Sequence, residues 1–117
     1  MHSSVMADYN TTKYDYTIIF QTQDTGEGVD RGDLGFNNEV FHYLPHIEHP
    51  GKIIAGLSFS GAADIRNFTE HADAILYNVP PGQRYAEGWL SILFGKVNPS
   101  GKLAFTIPHD FKELNIS

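Results

Sequence analysis

One unit recurs along this chain and limits what it can fold into. It is a short run of β-branched and aromatic residues, then a loop of small residues, then a stretch of helical period. The runs lie at residues 14 to 21, Lys52 to Phe59, Ala74 to Val79 and Leu103 to Ile107. The first has the enrichment of a buried parallel strand. Between them, Asn37 to His46 carries Val40, Phe41, Leu44 and, one residue past its end, Ile47 at helical spacing, with Asn37 or Asn38 as cap and Pro45 ending the regular part. Ile65 to His71 reads as a short helical turn. Arg84 to Phe94 places Tyr85, Trp89, Ile92 and Leu93 on one apolar helical face, and Gly95 suits the position just past its end. Strands alternating with helices predict an α/β fold, a three-layer sandwich around a mostly parallel sheet of about four strands.

Size and charge narrow the function. A chain of 117 residues supports one domain with one core. Hydrophobic residues make up 41% and aromatic residues 13%, too apolar a mixture for disorder. A net charge of −6 leaves no basic stripe to neutralise phosphates, which argues against a nucleic-acid partner. No apolar run is long enough to span a membrane as a helix. Cysteine is absent, so disulfides and thiolate metal sites are excluded. Residues 1 to 10 lack the basic start and apolar stretch of a signal peptide. Asn-x-Ser/Thr triplets at Asn10, Asn67 and Asn115 nonetheless permit a secretory origin. Residues 1–13 are polar and aperiodic, and are expected to be a disordered lead-in to a domain over 14–109, with 110–117 as a tail.

The loop after the first run holds the chemistry. Thr22 to Gly35 contains four glycines, and its segment Asp24 to Arg31 sets Glu27 between Gly26 and Gly28. In open α/β sheets ligands sit beyond the carboxyl ends of the strands, where this loop falls. Glycines allow a sharp turn and close approach of a substrate. Two readings are open: a carboxylate projecting into a cleft, or a polar turn whose Glu is merely solvated.

Three segments carry a resemblance that separates them. Trp89 to Pro108 runs through a leucine-bearing helix, the turn Phe94-Gly95-Lys96-Val97-Asn98-Pro99-Ser100-Gly101-Lys102-Leu103, and a short strand stopped by Pro108. Asp73 to Gln83 is a strand followed by Pro-Gly-Gln. Gly26 to Arg31 reads Gly-Glu-Gly-Val-Asp-Arg. In this order the segments resemble the C-terminal α/β sandwich domain of glycoside hydrolase family 3, over roughly residues 14 to 108. The family's domain has more strands than this sequence offers, so the resemblance implies a partial domain. It also implies hydrolysis of O-glycosyl bonds of the β-glucosidase or β-xylosidase type, with a β-glycoside or oligosaccharide as substrate and no cofactor.

By that resemblance Glu27 is the catalytic acid/base, and Asp24, Asp30 and Arg31 bind substrate or support its loop. An Asp-Arg pair also serves to pin a glycine-rich loop. Retaining glycosidases need a second carboxylate about 5 Å away as nucleophile. In this family it comes from a separate barrel domain, in a Ser-Asp-Trp context. That triplet is absent, and Trp89, the single tryptophan, follows Gly88. The barrel is therefore the implied partner, and the chain alone is expected to be inactive. A non-catalytic carbohydrate-binding or interaction module derived from the same fold is the alternative. The chain departs from the family pattern at Arg84-Tyr85-Ala86 and at Ser58-Phe59-Ser60-Gly61, which bears on sugar subsites and not on Glu27. His42, His46, His49 and His71 supply a helical i, i+4 pair but no further ligand pattern, and a solvated face explains them better than zinc. The glycine-rich loops match no phosphate-binding pattern, and the acidic loop would repel phosphate.

Overall fold

The computed structural model describes residues 14–23, 25–36, 44–46, 51–80 and 82–108. Most of the expected helix at 37–46, the lead-in 1–13 and the tail 110–117 lie outside the described residues. Among the described residues three strands form one sheet: β1 (Tyr16–Thr22), β2 (Lys52–Ser58) and β3 (Ala74–Asn78), in that spatial order. All pairings are parallel, with Tyr16 beside Lys52 and Ile54 beside Ala74. Parallel neighbours require crossovers, and the one from β2 to β3 contains helix α1 (Arg66–His71). Helix α2 (Tyr85–Leu93) follows β3. A 3-10 turn at Leu44–His46 contains Pro45.

One face of the sheet carries the core. Ile19, Ile53, Ala55 and Leu57 project there from β1 and β2, and Phe36, Leu44, Phe59, Ala63 and Phe68 close over them. The aromatic rings meet edge to face, Phe36 with Phe59 at 5.9 Å and with Phe68 at 5.4 Å between centroids. Tyr77 of β3 stacks on Phe59 at a tilt, and its hydroxyl donates to the Phe59 carbonyl at 3.1 Å. Burial raises the Tyr77 pKa above the usual phenol value.

The other face is covered by α2 through a single buried residue, Trp89. Its ring packs edge-on against Phe20 of β1 at 5.3 Å. Gly56 of β2 makes room for this contact: a Cβ there would stand 2.5 Å from the Phe20 ring and 3.0 Å from Trp89. The three layers expected from the sequence are thus present, with α1 and α2 on opposite faces.

Two expectations are corrected. Strand β1 is buried on one face only, and Tyr16, Ile18 and Phe20 are 65%, 46% and 55% exposed. Helix α2 has nine residues and is about 14 Å long. It reaches β2 and the end of β1, and leaves the rest of β1 bare. Leu103 to Ile107 forms no strand. Phe105 and Ile107 pack against the core, with the Phe105 ring edge-on to Tyr77 at 5.9 Å. These two side chains are spent on packing, while the segment's backbone, between Gly101 and Pro108, makes no ladder.

The amino end of the sheet is fixed by Asp73. Its carboxylate accepts from the Ile53 amide at 2.8 Å and from Lys52 Nζ at 2.6 Å, and its own amide donates to the Ile53 carbonyl at 2.9 Å. The hydrogen bond it donates to Asp73 holds the Lys52 ammonium above its ordinary pKa.

Candidate active site

The site is built at the opposite, carboxyl end of the sheet, where the loops after β1 and β2 meet. Pairing of β1 with β2 continues one residue past the strand, with the Gln23 amide donating to the Ser58 carbonyl at 3.0 Å. The chain then leaves the sheet and folds back on itself, with an antiparallel bridge between Gly26 and Val29. Glu27 and Gly28 form the corner of this turn, and Gly28 has φ +76°. That left-handed conformation costs a residue with a Cβ about 1–2 kcal/mol, so the glycine is needed for the turn. Glu27 is exposed at its tip.

The rest of the loop is tied down at several points. Thr25 Oγ1 and Ser60 Oγ share a hydrogen bond of 3.3 Å. Arg31 Nη2 donates to the Ala62 carbonyl at 3.0 Å, and the buried Nη1 has no hydrogen-bond partner among the described residues. The Asp64 amide donates to the Leu34 carbonyl at 2.7 Å. Gln23, only 7% exposed, donates from Nε2 to the carbonyls of Leu34 at 2.9 Å and Gly35 at 3.1 Å. The Gly35 amide bonds the Asp33 carboxylate at 2.8 Å.

Asp64 anchors the second loop in turn. Its buried carboxylate takes a bidentate contact from Arg66, with Nη2 to Oδ2 at 2.6 Å and Nε to Oδ1 at 3.0 Å, and also accepts from the Arg66 amide at 3.1 Å. The bond to Arg66 holds the Asp64 carboxyl below the usual carboxylate range.

The residues expected to act therefore stand as follows. Glu27 occupies the exposed tip. Arg31 reaches the neighbouring loop. Asp30 is exposed, and no ion pair joins it to Arg31 among the described residues. Asp24 lies outside the described residues. The sequence reading missed Gln23, Asp64 and the Ala62 carbonyl. Gln23 and Ala62 leave no local signal, since their partners lie 11 to 31 residues away. Asp64 had one: an Asp two residues before Arg66 at a helix start is placed to bond that residue's amide. Of the histidines weighed for metal, His46 and His71 are described, and no group of three or more His, Asp or Glu that could hold a metal occurs among the described residues.

An open parallel sheet between helical layers, with a carboxylate-bearing glycine loop beyond its strand ends, defines a three-layer α/β domain. Residues 3–117 match the model of the glycosyl hydrolase family 3 C-terminal domain. The chain belongs to glycoside hydrolase family 3. It is 30% identical over 112 residues to a probable beta-glucosidase D of Aspergillus niger, covering 94% of this chain and 15% of that protein. It is 29% identical over 93 residues to a beta-xylosidase of Formosa agariphila, covering 79% of this chain and 13% of that one. A beta-glucosidase of Schizophyllum commune is 28% identical over 109 residues, 80% of this chain and 54% of its own length. The chain thus spans about a seventh of the first two relatives. No solved structure matches it.

Proposed function

We propose that this chain supplies the general acid/base, Glu27, for retaining hydrolysis of β-glycosides. The nucleophilic carboxylate comes from a barrel domain docked against the Glu27 loop. Glu27 protonates the departing glycosidic oxygen, and its conjugate base then takes a proton from the water that releases the sugar. The observation that carries the reading is the position of the Glu27 turn. It is held by glycines at the carboxyl end of a parallel sheet, tied to the next loop, and exposed toward whatever lies beyond the strands. The names of the relatives point to glucosides or xylosides as substrates. Asp30 and Arg31 support the loop, and Asp24 belongs to the same acidic segment.

The test adds a barrel domain from a related enzyme to the purified chain. Release of sugar is followed from an unactivated disaccharide and from p-nitrophenyl β-glucoside and β-xyloside. The chain alone is expected to be inactive. With the barrel, Glu27→Gln should slow the disaccharide by about 10²-fold or more and the aryl glycosides less, because an activated phenol leaves with little acid help. Sugar binding without turnover, unchanged by Glu27→Gln, would instead identify a non-catalytic binding module.

A further inference from the structure

The Glu27 turn is a projecting structure whose position depends on what closes the loop behind it. One side chain does this from inside the protein. Gln23 sits one residue beyond β1, with its backbone amide fixed to the Ser58 carbonyl of β2 and its side chain 7% exposed. Both hydrogen bonds of its Nε2 go to consecutive carbonyls at the far end of the loop, Leu34 at 2.9 Å and Gly35 at 3.1 Å. A primary amide has two N–H donors, and here both are used, from one end of the loop to the other. The Leu34 carbonyl also accepts from the Asp64 amide at 2.7 Å, so this point joins the sheet, the Glu27 loop and the loop after β2.

We propose that Gln23 is the positioning residue of the candidate acid/base: its buried amide closes the loop over residues 25 to 35 and thereby fixes where Glu27 stands relative to the sheet. The physical reason is the cost of the alternative. Without the amide, the half-buried Gly35 carbonyl loses its donor and the Leu34 carbonyl keeps only the Asp64 amide, and a carbonyl left unsatisfied away from water is costly. The loop escapes that cost by swinging its base toward water. The other side-chain ties to the neighbouring loop, from Thr25 to Ser60 and from Arg31 to Ala62, lie nearer the tip and are exposed or half-buried. They hold the loop to its neighbour; at its base the other ties are backbone bonds, from the Gln23 amide to Ser58 and from the Asp64 amide to Leu34, with Phe36 in the core just beyond. That the loop's position serves acid catalysis rests on the Glu27 reading, whereas the tether itself does not.

The test uses the full chain, by NMR, with barrel-supplemented kinetics as a second arm. In the wild type the Gln23 side-chain amide protons should exchange slowly. Gln23→Met keeps the length and removes both donors. Backbone order parameters at residues 26 to 31 should then fall below about 0.6, while residues 53 to 57 stay near 0.85. Unchanged order in the loop, or an equal loss in β2, would overturn the tether. Gln23→Glu gives a reversible version that also serves if the Met variant fails to fold. An ionised carboxylate cannot donate to a carbonyl, whereas the protonated acid can donate one O–H. Loop order should therefore be low at neutral pH and return on acidification; no recovery would count against the proposal.

In the kinetic arm, Gln23→Met should slow the disaccharide by about ten-fold or more with KM little changed, and slow the aryl glycosides less. Added to Glu27→Gln, it should cost nothing further. Equal slowing of both substrates, or full additivity with Glu27→Gln, would reduce Gln23 to a merely structural residue. Failure of Glu27→Gln to affect the disaccharide, with loop order intact, would instead sink the Glu27 reading and spare the tether.

Discussion

At the scale of single residues, the polar groups with the most at stake are those pinned between loops. Asp64 is the clearest case. Its carboxylate is buried, and its pKa is lowered in the fold by the hydrogen bonds from Arg66. A lowered folded pKa means that the stabilisation is present above the unfolded value, about 3.9, and is lost as pH falls through the folded one. Asp64→Asn should cost about 1–2 kcal/mol at pH 7. It should also flatten the acid limb of a plot of urea midpoint against pH below about pH 4. An identical acid limb in the variant would show that Asp64 contributes nothing to acid lability. Lys52 runs the other way, since its raised pKa gives support present below its ordinary value and lost only at strongly alkaline pH. Being exposed, its pair with Asp73 adds little. The more consequential bond of Asp73 is to the Ile53 amide at 2.8 Å, because that amide starts the central strand.

The residue scale is also where the sequence said least about the site. Glu27 was visible because flanking glycines announce a turn, and a turn after a strand falls at the ligand end of such sheets. Its supports were not visible. Gln23 looks like any polar residue at a strand end, and only the folded chain brings Leu34 and Gly35 to its amide.

At the scale of elements, β1, β2, β3 and α2 were all legible, within one or two residues of their expected ends. Runs of Ile, Leu, Phe and Tyr bounded by glycine and proline declare themselves locally. The segment Leu103 to Ile107 has the same composition and forms no strand. Strand composition reports side chains that suit an apolar surface, and Phe105 satisfies that by packing on Tyr77 without joining the ladder. The exposed face of β1 was hidden for a related reason: composition does not say how far a following helix reaches.

The fit between β2 and α2 is an element-scale property with a sharp test. Gly→Ala in a strand ordinarily gains about 0.5–1 kcal/mol through backbone entropy. At Gly56 the new methyl would meet the Phe20 ring at 2.5 Å and Trp89 at 3.0 Å, and overpacking of this kind costs about 1–3 kcal/mol. The clash outweighs the entropy gain, so Gly56→Ala should lower the urea midpoint and shift the Trp89 fluorescence to the red as α2 lifts away. A midpoint that rises, with unchanged emission, would mean that Phe20 simply rotates into solvent.

At the scale of the whole molecule, the two faces of the sheet are unequal. One holds a closed aromatic core, and the other exposes Tyr16, Ile18 and Phe20 in a row along β1. Exposed apolar rows of this kind bind hydrophobic dyes and promote self-association. The purified chain should therefore enhance ANS fluorescence while showing a cooperative urea transition. Tyr16→Thr with Ile18→Thr should reduce the dye signal by half or more at nearly unchanged midpoint. Dye binding that persists in the variant would place the apolar surface elsewhere, for instance at Leu90 on α2 and Phe94 just past its end, which are 50% and 75% exposed.

The parallel pairing also fixes an order of events during synthesis. Tyr16 must wait for Lys52, whereas Ala74 follows its partner Ile54 after little more than half that length of chain. Closing the shorter loop loses less entropy, so β2 and β3 are the natural first pair, with α1 between them. Of these three strands, the earliest made is then the last to be seated. The Glu27 turn inherits that delay, because Ser60, Ala62 and Asp64, the partners of its loop in the second loop, are all made after it. A nascent chain stalled before residue 58 would carry the Glu27 loop with none of its ties to β2 and the second loop.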